Sequence, residues 1–128
     1  MGNQVTNIGG VLSAVTNTIA YTDSTAVTIG TIPANAQIIN VNIDVTTAFN
    51  AASTNTLTVG KSGSAAAFVT ATSVGSAGRA SVATTGVYSA WADVGSSEVP
   101  VTATYAQTGT AASAGVARVT IVYRSPAP

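Results

Sequence analysis

Lys61 is the residue that first invites a chemical reading, because Gly60-Lys61-Ser62 follows an apolar run and precedes Ala65-Ala66-Ala67, as in a phosphate-binding loop. Such a loop needs a further glycine five positions before Gly60, so that backbone amides can curl round the phosphates, and Asn55 stands there. The motif fails at that residue, and Gly60 to Ser64 reads instead as a hairpin loop. General acid–base and nucleophilic chemistry have little to work with. The chain has no histidine and no cysteine, which removes the commonest general base, the thiolate nucleophile and the usual zinc ligands. A carboxylate pair could be drawn only from Asp44, Asp93 and Glu98, and Asp44 lies on the polar face of a strand, where solvation is its ordinary role. Calcium wants several clustered oxygen ligands, yet no two acids lie closer than five positions apart. These residues predict no enzyme, no cofactor and no metal site. Trp91, with Tyr88 nearby, could serve as a sugar platform or an interface anchor, although a partly buried core tryptophan is the commoner outcome.

Charge narrows the partners. Four basic residues (Lys61, Arg79, Arg118, Arg124) balance four acidic ones (Asp23, Asp44, Asp93, Glu98). They are scattered along the chain, which argues against nucleic acid, because phosphate binding needs a clustered basic face. Only 6% of the residues are charged, against about 25% in an ordinary soluble domain. A surface of Thr, Ser, Asn, Ala and Gly with so little charge favours association over life as a dilute monomer. Disorder is argued against by the abundance of valine and isoleucine. No basic leader segment and no long apolar run occurs, so neither a signal peptide nor a membrane span is expected.

The elements that must position these residues read as strands. A chain of 128 residues suits one domain that buries roughly two-thirds of its unfolded surface. Ile39, Val41, Ile43 and Val45 alternate with Asn40, Asn42, Asp44 and Thr46, which predicts a strand with the first set facing the core. Thr56 to Val59 is expected to pair antiparallel with it after a polar loop, with Phe49 as a plug beneath that loop. Val27-Thr28-Ile29 forms a short strand closed by Gly30. Val99, Val101, Ala103 and Tyr105 alternate with Pro100, Thr102 and Thr104, and the proline suggests an edge strand or a first position. Ala117, Val119, Ile121 and Tyr123 share one phase of the last strand, opposite Arg118, Thr120 and Arg124. The sum is an all-β chain: a two-sheet sandwich of jelly-roll type with about seven or eight short antiparallel strands. Its expected divisions are an N-terminal arm or frayed end over residues 1–12, a single β-sandwich domain over 13–124, and a Pro-rich tail over 125–128.

The run Ile32-Pro33-Ala34-Asn35-Ala36-Gln37-Ile38-Ile39, then Asp44-Val45-Thr46-Thr47-Ala48-Phe49-Asn50 and Leu57-Thr58-Val59-Gly60, resembles the small all-β head proteins of tailed bacteriophages. The closing Val101-Thr102-Ala103-Thr104-Tyr105 and Ala114-Gly115-Val116-Ala117-Arg118-Val119 are similar too. The likeness covers most of residues 30–123 and carries no catalytic signature. It implies a virion structural protein, most directly a capsid decoration or cement protein, made in the host cytoplasm and placed on the capsid surface. The implied partners are the major capsid protein and further copies of the chain, with a trimer ahead of a dimer, and neither nucleic acid nor membrane. Val5, Ile8 and Leu12 of the arm, with Trp91, are the candidate interface residues. The near-absence of charge predicts that the contact is apolar and backbone-mediated, and nearly independent of salt. The competing class is a carbohydrate-binding adhesin module of a phage tail or head fibre, with Trp91 and Tyr88 as its stacking platform.

Overall fold

The structure, a computed structural model, describes residues 12–82 and 94–125. Eight strands follow one another: β1 (Leu12–Ala20), β2 (Val27–Ile32), β3 (Gln37–Thr47), β4 (Thr54–Lys61), β5 (Ser64–Ser73), β6 (Gly78–Val82), β7 (Val99–Thr108) and β8 (Val116–Arg124). No helix occurs among the described residues. One four-stranded sheet has the order β1-β8-β3-β6 and the other β2-β7-β4-β5.

Every described ladder is antiparallel, and the pairs are nested: β4 with β5, β3 with β6, β2 with β7 and β1 with β8. The chain is thus one long ribbon hinged at the β4–β5 turn. Two further ladders, β3 with β8 and β4 with β7, roll that ribbon into a sandwich. This is the jelly-roll arrangement, and it follows from the sequence pattern. Strands β4, β7 and β8, and β3 beyond its first residues, each have one apolar phase and so must find an inner face, which alternate crossing between sheets supplies.

The core lies between the sheets. Val41, Ile43 and Val45 of β3, Leu57 and Val59 of β4, Val101, Ala103 and Tyr105 of β7, and Ala117, Val119 and Ile121 of β8 are all buried, as their alternation requires. Burial of this largely apolar layer is what drives the ribbon to roll.

Four expectations need correction. Ile39 is not a core residue: it is 44% exposed, while Ile38 is buried at 3%. The register of β3 on β8 jumps from Ile38↔Tyr123 to Asn40↔Val122, so Ile39 is the extra residue of a bulge that resets the phase. Strand β4 does not pair with β3; it lies in the opposite sheet between β7 and β5, because the loop after Phe49 crosses the sandwich instead of closing a hairpin. Gly30 does not end β2, which runs on to Ile32 through a register shift between Thr28 and Gly30. Pro100 sits in β7, an interior strand, at its second position. There β7 pairs with β2 through Thr31, but the β4 ladder reaches only Thr102, so the proline lies beyond the ladder on one side.

On one flank the edges β1 and β2 close upon each other. The Asn17 amide donates to the Thr28 carbonyl at 3.0 Å, and Val15 lies so close over Gly30 that a methyl there would stand 2.6 Å from its Cβ. The β4–β5 hairpin turns at Ser62-Gly63, with Gly63 at φ 82°, as the Gly/Ser loop predicted.

Candidate interaction surfaces

The polar side chains that converge most are at the end of the sandwich formed by the 48–53 and 109–115 loops. Phe49 is buried against Tyr105, ring centroids 4.6 Å apart and tilted by 44°. Gly115, at φ 151°, packs on the face of the same ring, where any Cβ would overlap it. Asn50 Oδ1 accepts from the backbone amides of Ser113 at 2.8 Å and Ala114 at 3.0 Å, which ties one loop to the other. The Tyr105 hydroxyl reaches Asn55 Oδ1 at 2.6 Å and Gln107 Oε1 at 3.3 Å. Asn55 also accepts from the Ala51 amide at 2.9 Å, and Gln107 from the Ala112 amide at 2.8 Å. Burial pushes the Tyr105 phenol above its ordinary value. The atoms of this cluster satisfy one another, so its chemistry is that of a clasp between loops.

The two outer faces differ in kind. On the β2-β7-β4-β5 sheet, Thr31, Thr56, Thr58, Thr102, Thr104 and Ala106 point outward, and the strand ladders there carry no charge except Lys61 beside the hairpin turn. The β1-β8-β3-β6 sheet carries Arg79 on β6, Asp44 on β3, and Arg118 and Arg124 on β8. Arg118, Asp44 and Arg79 stand opposite one another across three strands. Arg79 bridges Asp44 at 3.9 Å, with the two side chains 69% and 37% exposed, so this ion pair adds little stability. Among the described residues, three positive and one negative side chain give the face a formal charge of +2. Leu12 and Ile39, at 63% and 44%, are the exposed large hydrophobic residues of the described chain, and both belong to this sheet. Leu12 is the register partner of Arg124, and Ala14 of Val122, which in turn pairs with Asn40 beside Ile39.

Of the predicted interface residues, Leu12 is the first residue of β1 and open to solvent. Val5, Ile8 and Trp91 lie outside the described residues, as do Tyr88 and Asp93. Asp44 is a half-buried strand residue beside Arg79, and Glu98 is exposed just before β7. No group of three acids that could hold a metal ion occurs among the described residues. The gathering of arginines on one face was missed. Arg118 and Arg124 share a phase of β8 and could have been placed together, but Arg79 joins them only through the β3–β6 ladder.

No family model and no curated protein sequence matches the chain. Solved structures do. A chain in the cyanophage Pam1 capsid asymmetric unit matches with a TM-score of 0.73 and 26% identity, covering 98% of this chain and 93% of that one. A chain in the acid-stable capsid of Helicobacter pylori bacteriophage KHP30 matches with a TM-score of 0.70 at 14% identity, over 94% of this chain and 92% of that one. One in the capsid of Ralstonia phage GP4 gives 0.59 at 15%, over 100% and 93%. The last two likenesses are of fold; the first extends to sequence along nearly the whole chain.

Proposed function

We propose that this protein is a structural component of a phage virion that decorates the capsid and stabilises it by bridging capsid subunits. The observation that carries the reading is the end-to-end likeness to a chain of the Pam1 capsid, in fold and in a quarter of its residues. The rest of the molecule supports it. The described polar cluster is satisfied internally, and the chain has neither histidine nor cysteine. A chain with 6% charged residues suits a crowded lattice better than dilute solution. Each copy binds modestly, and repetition over a symmetric shell, with a homo-oligomer engaging several subunits at once, raises the effective concentration. Residues 1–12, through Val5, Ile8 and Leu12, supply part of the contact.

The test is cosedimentation of the purified chain with phage heads that lack it, scored by occupancy and by the heads' resistance to heat. Bound protein that raises the temperature at which heads rupture is the expected result. Absence of binding, or binding that leaves rupture unchanged, overturns the proposal. A form lacking residues 2–10 that binds as well as the full chain removes the arm from the contact.

A further inference from the structure

We infer that the outer face of the β1-β8-β3-β6 sheet is the docking face, and that it fits a protein surface bearing carboxylates around an apolar spot. This rests on the capsid reading above and adds which side of the molecule is engaged. Several observations converge on it. All three arginines of the chain lie on this sheet, whereas the sole lysine sits beside the hairpin turn on the other one. Arginine with apolar neighbours is the composition enriched at protein interfaces, and lysine is depleted there. Leu12 and Ile39 stand on the same sheet, on strands either side of β8, with Val122 and Arg124 between them. The bulge at Ile39 is what turns that isoleucine out of the core, so the fold interrupts a regular ladder to expose it. Among the described residues this face carries a formal +2 while the opposite one is a field of threonines, so an acidic surface is attracted to this side.

The same charge makes the face a poor site for a second copy of itself, because like faces repel. Nucleic acid is the other polyanion to weigh. Asp44 lies between Arg79 and Arg118, in the middle of the basic row, where a phosphate backbone would meet it. A protein partner can set a donor or another cation against Asp44 and carboxylates against its neighbours.

The experiment compares two variants with the same change of net charge. Arg79→Gln with Arg118→Gln removes two positive charges from the docking face. Thr31→Glu with Ala106→Glu adds two negative charges to exposed positions of the opposite face. A third variant, Leu12→Ser with Ile39→Ser, removes the apolar spot. Folding of each is checked by its melting curve, and binding is measured to heads lacking the protein, in low and high salt, and separately to duplex DNA. The arginine variant is expected to bind heads roughly tenfold or more weakly at low salt and to lose the salt dependence shown by the unaltered chain. The apolar variant weakens at both salt concentrations, and the threonine-face variant binds like the unaltered chain. Loss in the threonine-face variant alone, or equal loss in both charge variants, overturns the assignment of the face while leaving the capsid reading intact. Binding of the unaltered chain to DNA, lost with the arginines, overturns the protein partner. Failure of the unaltered chain to bind heads overturns the capsid reading itself.

Discussion

At the scale of single residues, the bulge in β3 decides which isoleucine matters. Ile38→Ala removes a buried side chain and is expected to cost about 2–5 kcal/mol, whereas Ile39→Ala, at an exposed position, stays within about 0.5 kcal/mol. Denaturant melts of the two variants decide it, and equal losses would contradict the bulge. Ile43→Ala and Asn42→Ala give the same contrast further along the strand. The alternation of Val41, Ile43 and Val45 was legible because three consecutive odd positions are apolar and their neighbours polar. The same phase pointed Ile39 inward, and only the pairing with Tyr123 and Val122 reveals the bulge that puts Ile38 there instead. Tyr105 yields a pH dependence. Its phenol is raised by burial above the ordinary 10.0. The unfolded chain therefore ionises first, so the stability tied to the neutral phenol is full below pH 10.0 and is lost as pH rises through the higher folded value. Melting temperature should fall faster above that pH in the unaltered protein than in Tyr105→Phe. At neutral pH that variant should be less stable by about 1 kcal/mol, for the lost bond to Asn55. Parallel alkaline declines would show that Tyr105 is not the group responsible.

At the scale of elements, the seam between β1 and β2 is held by an absence. Val15 occupies the space where a side chain on Gly30 would stand, so Gly30→Ala is expected to cost about 1–3 kcal/mol through overpacking. Val15→Ala makes room, and the double variant should be more stable than the sum of the single losses allows, by about 0.5 kcal/mol or more. Strict additivity would mean that the strands do not meet there. This seam was hidden from the sequence for the same reason that β4 was assigned the wrong neighbour. Period-two alternation tells which residues of a strand face inward and says nothing about which strand lies beside it. The hairpin at Ser62-Gly63 was legible because a two-residue turn joins its strands directly, and the positive φ of its second residue, 82°, is one that glycine adopts without strain. Pro100 misled in part, since the rule that proline avoids interior ladders is local. It is obeyed here by the offset of β4, which leaves that stretch of an interior strand with a neighbour on one side.

At the scale of the whole molecule, charge that is scattered along the chain becomes ordered by folding, and the reading of its surface changes accordingly. The scarcity of charge predicted salt-independent docking, yet three of the four cations share one sheet. A surface with few charges is more polarised by their placement than a crowded one, because no background of opposite sign cancels them. The nested pairing has another outcome. Leu12 and Arg124, the outer ends of the first and last strands, are register partners, with Cα atoms about 5 Å apart. A load pulling the chain by these two ends meets the β1–β8 ladder crosswise and peels it one pair at a time, so the force required stays low. A load entering at Leu12 and leaving at Val116, the far end of β8, draws the same ladder lengthwise and must break its bonds together. Single-molecule pulling through cysteines placed at the two pairs of sites should therefore give a markedly higher rupture force for the second geometry. A protein built in this way resists strain applied along its strands and yields to strain applied through the outer ends of β1 and β8, so the direction in which a neighbour grips it sets how much load it bears.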